Sequence, residues 1–143
     1  MDALCRVEID LAALGRNYRL LAQASQPGAC GAVVKANAYG LGIGPVARKL
    51  QQAGCRHYFV ATPSEGRELR EILPGDEEIL VFDGLAGADP GELSAARLMP
   101  VLNSRADLEA WSGAGPAAVH IDTGMSRLGL SADDIGALRL AAD

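Results

Sequence analysis

Ala32-Val33-Val34-Lys35-Ala36-Asn37-Ala38-Tyr39-Gly40-Leu41-Gly42 opens on apolar residues, closes on glycines and holds one lysine between them. A short apolar run bounded by turn residues predicts a strand over Ala32 to Ala36. Asn37, Gly40, Gly42 and Gly44 shape the turn after it, since glycine admits positive φ and close backbone approach. Lys35 therefore stands at a strand end, where parallel α/β folds build their sites. Burial of an ammonium depresses its pKa, which suits an amine nucleophile or Schiff-base former. A lysine there can equally lean past the strand end into water. Spacing alone leaves both readings open.

Outward from this stretch, apolar runs recur at Tyr58 to Ala61, Ile79 to Phe82, Met99 to Leu102 and Ala117 to Ile121, with an earlier one at Val7 to Ile9. None shows a clean in/out alternation, which suits a parallel sheet covered on both faces. Helix starts lie between them. Asp10 precedes Leu11, Leu14, Tyr18 and Leu21, spaced for one helical face. Thr62-Pro63-Ser64-Glu65 combines a capping box with proline at the first helical position. Asp89-Pro90, Asn103, and Ser131 with Asp134 mark three further starts. Gly54 ends the helix that Pro45 begins, and Pro74-Gly75 stops the one after Thr62. From Ala32 the strand starts are 26, 21, 20 and 18 residues apart, the spacing of βα units with right-handed crossovers. The expectation is five βα units plus a leading strand, with no internal domain boundary. By length alone a five-stranded flavodoxin-type sheet would serve, because a closed (β/α)8 barrel needs about 250 residues.

Composition narrows the function classes. The 143 residues are 49% apolar and carry 13 Lys+Arg against 18 Asp+Glu, a formal charge of −5. That is one domain's worth of chain with enough apolar surface for a core. The acidic balance removes the electrostatic footprint of a nucleic-acid binder, and 4% aromatics leave no base-stacking platform. Cys5, Cys30 and Cys55 form no Cys-x-x-Cys and no even framework, so neither disulfides nor a metal site is expected, and a reducing cytoplasm fits. Cys30, Cys55 and His57 read as packing or surface. No apolar run approaches a membrane span.

Val33 to Gly42 resembles the pyridoxal phosphate signature of alanine racemases. Val7-Glu8-Ile9-Asp10-Leu11 with Leu14 and Asn17 looks like that family's opening strand and helix, and Asp122-Thr123-Gly124-Met125-Ser126-Arg127-Leu128-Gly129 looks like its second signature. The resemblance implies an α/β fold, the N-terminal portion of a (β/α)8 TIM-type barrel over residues 1–143, without the family's C-terminal β domain. It implies a cytoplasmic isomerase that interconverts L- and D-alanine for peptidoglycan, with pyridoxal 5'-phosphate as cofactor and homodimers in the full-length family. Lys35 would hold the cofactor and act as a base, Tyr39 would hydrogen-bond the cofactor phosphate, and Arg127 would meet the substrate carboxylate, to which its fixed fork and permanent charge are suited.

One departure is His120, which stands where many family members carry a lysine that some convert to a carbamate. A histidine cannot make that group, so either Arg127 is oriented otherwise or the chain belongs to a branch of the family that manages without the modification. The other departure is length. Later barrel units and the tyrosine that serves as second base lie outside these residues, so the chain alone is expected not to racemise alanine at a useful rate. Three other readings stand beside it. Asp122-Thr123-Gly124 imitates an aspartic-protease tripeptide, but those proteases are all-β. Gly42-x-Gly44-x-x-Ala47 formally fits a dinucleotide fingerprint, yet Ala61-Thr62 occupies the place of the required acidic residue. A truncated, non-enzymatic remnant of racemase ancestry is the third.

Overall fold

The computed structural model describes residues 5–137. Five parallel strands form one sheet: β1 (Ala32–Val33), β2 (His57–Val60), β3 (Glu78–Val81), β4 (Leu98–Leu102) and β5 (Ala118–Val119). Their order across the sheet is β1-β2-β3-β4-β5. That is the order of successive barrel staves. A flavodoxin-type sheet would place the first strand inside the sheet, so the topology decides what length left open.

Helix α1 (Leu11–Ala24) precedes the sheet, and α2 (Lys35–Tyr39) is a single turn after β1. The crossovers are α3 (Ile43–Gln52), α4 (Pro63–Ile72), α5 (Pro90–Ala95) and α6 (Arg105–Trp111), and α7 (Ala132–Ala137) comes after β5. Five βα units are therefore present. The caps obey the sequence logic. Asp10 accepts from the Ala13 N–H at 2.9 Å, and Asp89 accepts from the Gly91 and Glu92 N–H groups. Thr62 and Glu65 form a reciprocal capping box with Pro63 in the first turn, as do Ser131 and Asp134 at the start of α7. Each such cap satisfies amide donors that the first turn cannot.

Several expectations need correction. Val7 to Ile9 is not a strand: it has no ladder partner among the described residues, and Val7 is 80% exposed. The strand expected over Ala32 to Ala36 stops at Val33, because the backbone turns left-handed from Ala36. Ser104, not Asn103, caps α6 by accepting from the Asp107 N–H; the Asn103 side chain is committed elsewhere. Helix α3 starts at Ile43, two residues before Pro45, whose missing N–H falls in the first turn where no intrahelical partner exists.

Alternation along the strands sorts side chains onto two faces. Val34, Tyr58, Val60, Ile79, Val81, Leu98 and Leu102 form the helix-side core with Leu69 and Leu73 of the α4 region and Leu93 of α5. Full burial of a leucine contributes about 1.5–3 kcal/mol, so this layer holds the crossovers down. Tyr58 keeps its hydroxyl satisfied there by donating to Ala47 O at 3.3 Å. Helix α1 packs through Leu11, Leu14, Tyr18 and Ala22; Leu21, expected on the same face, is exposed. The opposite face of the sheet carries Phe59, Leu80, Phe82, Met99 and Val101 by register, with Phe59 and Phe82 stacked at 5.2 Å. In a barrel this second face is the interior.

Candidate active site

Lys35 projects from the carboxyl end of β1 on the same face as Val33, two residues before it. Its Nζ lies 5.8 Å from the centroid of the Phe82 ring, at the carboxyl end of β3. The side chain is half-buried, between the two readings that the spacing left open. The amine thus rests over an aromatic face at the strand ends, within the range of a cation–π contact.

The backbone after Lys35 is unusual. Ala36, Asn37, Ala38 and Tyr39 have φ of 51°, 55°, 53° and 54°, and Gly40 continues at 84°. Residues with a Cβ enter this left-handed region at roughly 1–2 kcal/mol each. Four in succession persist only where surroundings fix them. Several bonds do so here. Ala38 N–H donates to Val34 O at 2.9 Å, Gly40 N–H to Ala36 O at 3.0 Å and Gly42 N–H to Asn37 O at 3.0 Å. Asn37 Oδ1 accepts from the Ile43 N–H at 2.7 Å and so caps α3 while it closes the turn. The Ala38 methyl is buried in the core.

Glu65 reaches this turn from α4. Its Oε1 accepts from the Ala36 N–H at 2.8 Å, and its Oε2 accepts from Ala61 N–H at 2.7 Å and Thr62 N–H at 3.4 Å. In the sequence this residue is visible only as the capping-box glutamate. A capping box requires the Thr62 bond alone, and nothing in the spacing announces the Ala36 bond, 29 residues away in sequence.

Further along the same edge, Asn103 lies just past β4 and His120 just past β5. Asn103 Nδ2 donates to Phe82 O at 2.7 Å and Val101 O at 2.9 Å, and its Oδ1 faces His120 Nδ1 at 2.8 Å. Three strand ends are therefore laced by one amide. The loop from Asp122 to Leu130 returns to β5: Leu130 N–H donates to His120 O at 2.8 Å, and Asp122 N–H donates to Leu130 O at 2.9 Å. Asp122 Oδ1 accepts from Gly124 N–H at 2.9 Å and Ser126 N–H at 3.0 Å. These backbone donors, Ser126 first, hold the Asp122 carboxyl below the usual aspartate range, as bonds to the charged form must. Asp122 shapes a loop at the end of a parallel strand, which disposes of the protease resemblance.

Tyr39 is 63% exposed at the end of the left-handed turn, one turn beyond Lys35, with its hydroxyl free of any described partner. Arg127 is exposed in the loop after β5. All three proposed residues sit at the carboxyl edge of the sheet, but β1 and β5 are its two outer strands. Four strand spacings of about 4.8 Å separate them along the sheet. Lys35 and Tyr39 share the one-turn segment after β1; Arg127 is not brought to them within the sheet itself. In a closed eight-stranded barrel, strands four apart face one another across the interior.

Other groups stand apart from this edge. No cluster of three or more His, Cys, Asp or Glu residues placed to hold a metal occurs among the described residues, and no described helix is long and apolar enough to cross a membrane. Cys5, Cys30 and Cys55 are free thiols. Burial raises the Cys55 pKa, which keeps it a packing group and not a nucleophile. His57 pairs with Glu78 at 2.8 Å at the amino ends of β2 and β3, the end opposite Lys35.

Parallel staves in chain order, with a lysine at the carboxyl end of the first and an irregular turn after it, define a portion of a (β/α) barrel whose interior edge carries an amine. The chain belongs to the alanine racemase family, whose N-terminal domain profile matches residues 9–143. It is 41% identical over 140 residues to the alanine racemase of Rickettsia prowazekii, covering 93% of this chain and 35% of the relative. It is 47% identical over 133 residues to the catabolic alanine racemase of Rhizobium johnstonii, covering 88% and 35%. Among solved structures, alanine racemase from Bartonella henselae with covalently bound pyridoxal phosphate superposes with a TM-score of 0.86 at 40% identity, over 90% of this chain and 40% of that one. The chain thus spans about a third of the length of the curated relatives it matches.

Proposed function

We propose that the chain is the cofactor-lysine portion of a pyridoxal 5'-phosphate-dependent alanine racemase, an isomerase that interconverts L- and D-alanine. The observation that carries this reading is Lys35 itself: an amine at the carboxyl end of the first strand, over Phe82, fixed by a left-handed turn. The donor set suits the cofactor. Lys35 offers a primary amine for an aldehyde, and Tyr39, four residues on in the left-handed turn, presents an exposed phenol that can donate to a phosphate. When bound, pyridoxal phosphate supplies the electron sink that makes an amino acid's α-proton labile. Lys35 Nζ then removes or returns that proton on one face of the substrate. Tyr39 donates a hydrogen bond to the phosphate, and Arg127 offers its fork to the substrate carboxylate.

On this reading residues 1–143 belong to one barrel domain without an internal boundary. Racemisation needs a base on the other face of the substrate, and these residues assign none, so turnover is a property of the whole protein, working as a homodimer. The product feeds peptidoglycan synthesis in the cytoplasm. Small-molecule substrate, without nucleic acid or membrane, is the partner class that the charge and the carboxyl-edge site favour.

The test is covalent mapping. Incubation with pyridoxal phosphate, borohydride reduction and peptide mass spectrometry should place a pyridoxyl group on Lys35, and Lys35→Ala should lose it. Modification of Lys49 at equal yield, or none at Lys35, would overturn the reading. The same adduct experiment separates an active lineage from a remnant that has lost its cofactor.

A further inference from the structure

The peptide between Lys35 and Ala36 is held from outside its own turn. Ala36 is the first of the left-handed residues, and its N–H points to Glu65 Oε1 at 2.8 Å. The second oxygen of the same carboxylate takes the Ala61 N–H at 2.7 Å and the Thr62 N–H at 3.4 Å, tying the end of β2 and the start of α4. Both oxygens thus accept from backbone amides. A carboxylate offers acceptors on both sides, whereas a carboxamide offers an acceptor on one and two N–H donors on the other. Glutamine at position 65 would turn a donor toward one of the amides whichever way it rotated.

We propose that Glu65 is a positioning residue for Lys35: by accepting the Ala36 N–H it sets the plane of the peptide after the lysine and so fixes the direction of the Lys35 side chain over Phe82. Helix capping alone does not account for it. The Thr62 bond is the longest of the three, and the Ala36 bond contributes nothing to α4. The inference rests on the reading of Lys35 as the cofactor lysine, so the test reads the lysine with and without the cofactor.

The chain contains two lysines, Lys35 and Lys49, and Lys49 serves as internal reference. Trace labelling with acetic anhydride across a pH series reports each amine separately; the Nζ–acyl bond forms, acetate leaves and the ammonium proton passes to water. Reaction with pyridoxal phosphate, in which the Nζ–carbon bond forms and the aldehyde oxygen leaves as water, is monitored by its visible absorption. Glu65→Gln should change the Lys35:Lys49 labelling ratio at least threefold, displace the pH profile of Lys35, and slow its reaction with pyridoxal phosphate about tenfold. Thr62→Ala, which removes the threonine half of the capping box and leaves the Ala36 bond, should keep all three within twofold of the parent. Hydrogen exchange at the Ala36 amide should rise in Glu65→Gln and stay unchanged in Thr62→Ala.

An unchanged Lys35 ratio and pH profile in a folded Glu65→Gln, or equal changes in both variants, would overturn the positioning role. Failure of the parent Lys35 to take up pyridoxal phosphate, with the labelling ratio still responding to Glu65→Gln, would instead sink the cofactor reading. If Glu65→Gln does not fold, Glu65→Asp, which shortens the reach by one methylene while it keeps both acceptors, carries the same comparison.

Discussion

His120 Nδ1 and Asn103 Oδ1 lie 2.8 Å apart, and the rest of the Asn103 amide decides which of them donates. Its Nδ2 spends its hydrogens on Phe82 O and Val101 O, groups that only accept. Oδ1 therefore faces the ring, and Nδ1 carries the proton. The neutral ring keeps its lone pair on Nε2.

This assignment is measurable. Nitrogen-15 spectra of the neutral His120 ring should show protonation at Nδ1, and Asn103→Ala should abolish that preference. The same variant strips a donor from Phe82 O, which should cost about 1–3 kcal/mol in urea unfolding. A His120 ring protonated at Nε2 in the parent would contradict the bond.

Gly129 has φ of 105°, and a Cβ there would meet Asp122 N at 2.9 Å and His120 Cγ at 3.1 Å. Only glycine tolerates that backbone without strain. Gly129→Ala should cost roughly 1–3 kcal/mol and open the loop that Arg127 rides on. Faster hydrogen exchange at the Asp122 and Leu130 amides, with the amides of β2 and β3 unaffected, is the expected signature.

Glu77 is buried at 3% exposure, and Gln51 Nε2 donates to its Oε1 at 2.7 Å with Arg56 beyond at 3.4 Å. The Gln51 bond leads in holding its pKa below the ordinary glutamate value, opposed by burial. A carboxyl depressed in the folded state binds protons more readily when unfolded, so its contribution is complete above an ordinary glutamate pKa of about 4.3. It fades as pH falls from there through the lower folded value. Denaturation midpoints should decline across that acid window, and Glu77→Gln should flatten the decline. An equally steep acid limb in the variant would remove Glu77 from the account.

Leu69 and Leu21 separate burial from pattern. Leu69 is fully enclosed under the sheet and Leu21 lies open on α1. Leu69→Ala should cost about 2–5 kcal/mol, whereas Leu21→Ala should stay within about 0.5 kcal/mol. Equal costs would mean that α1 presents a different face to the core.

Caps at Asp10, Thr62, Asp89 and Ser131 were legible in the residues, because the side chain and the amide it serves lie within three positions. The spacing of apolar runs from Ala32 onward located four crossovers for a similar reason: parallel strands need connections of a dozen or more residues. Val7 to Ile9 misled because an apolar run states a propensity and not a partner, and a strand requires a ladder. Asn103 misled because two functions compete for one amide: a free asparagine caps helices, but here two carbonyls and a histidine claim it first. Leu21 keeps helical spacing yet falls just beyond the packed stripe, whose width is set by what α1 meets and not by α1 itself. At the site, Lys35 and its glycines were plain from local sequence and the family resemblance. The bond from Glu65 was not, since it depends on two adjacent staves lying in register.

The order of the strands bears on how the molecule is made. Each strand pairs first with the one synthesised just before it, so a chain leaving the ribosome from its amino end always has a finished template for the next addition. Each strand after the first finds one neighbour already translated, and the loops to be closed are about twenty residues long. The lysine and its strained turn lie at the end of the first stave, and the second stave and Glu65, 29 residues after Ala36, follow directly to brace them. The reactive amine is thus framed early in synthesis, and the later staves are laid against a chemical edge already set.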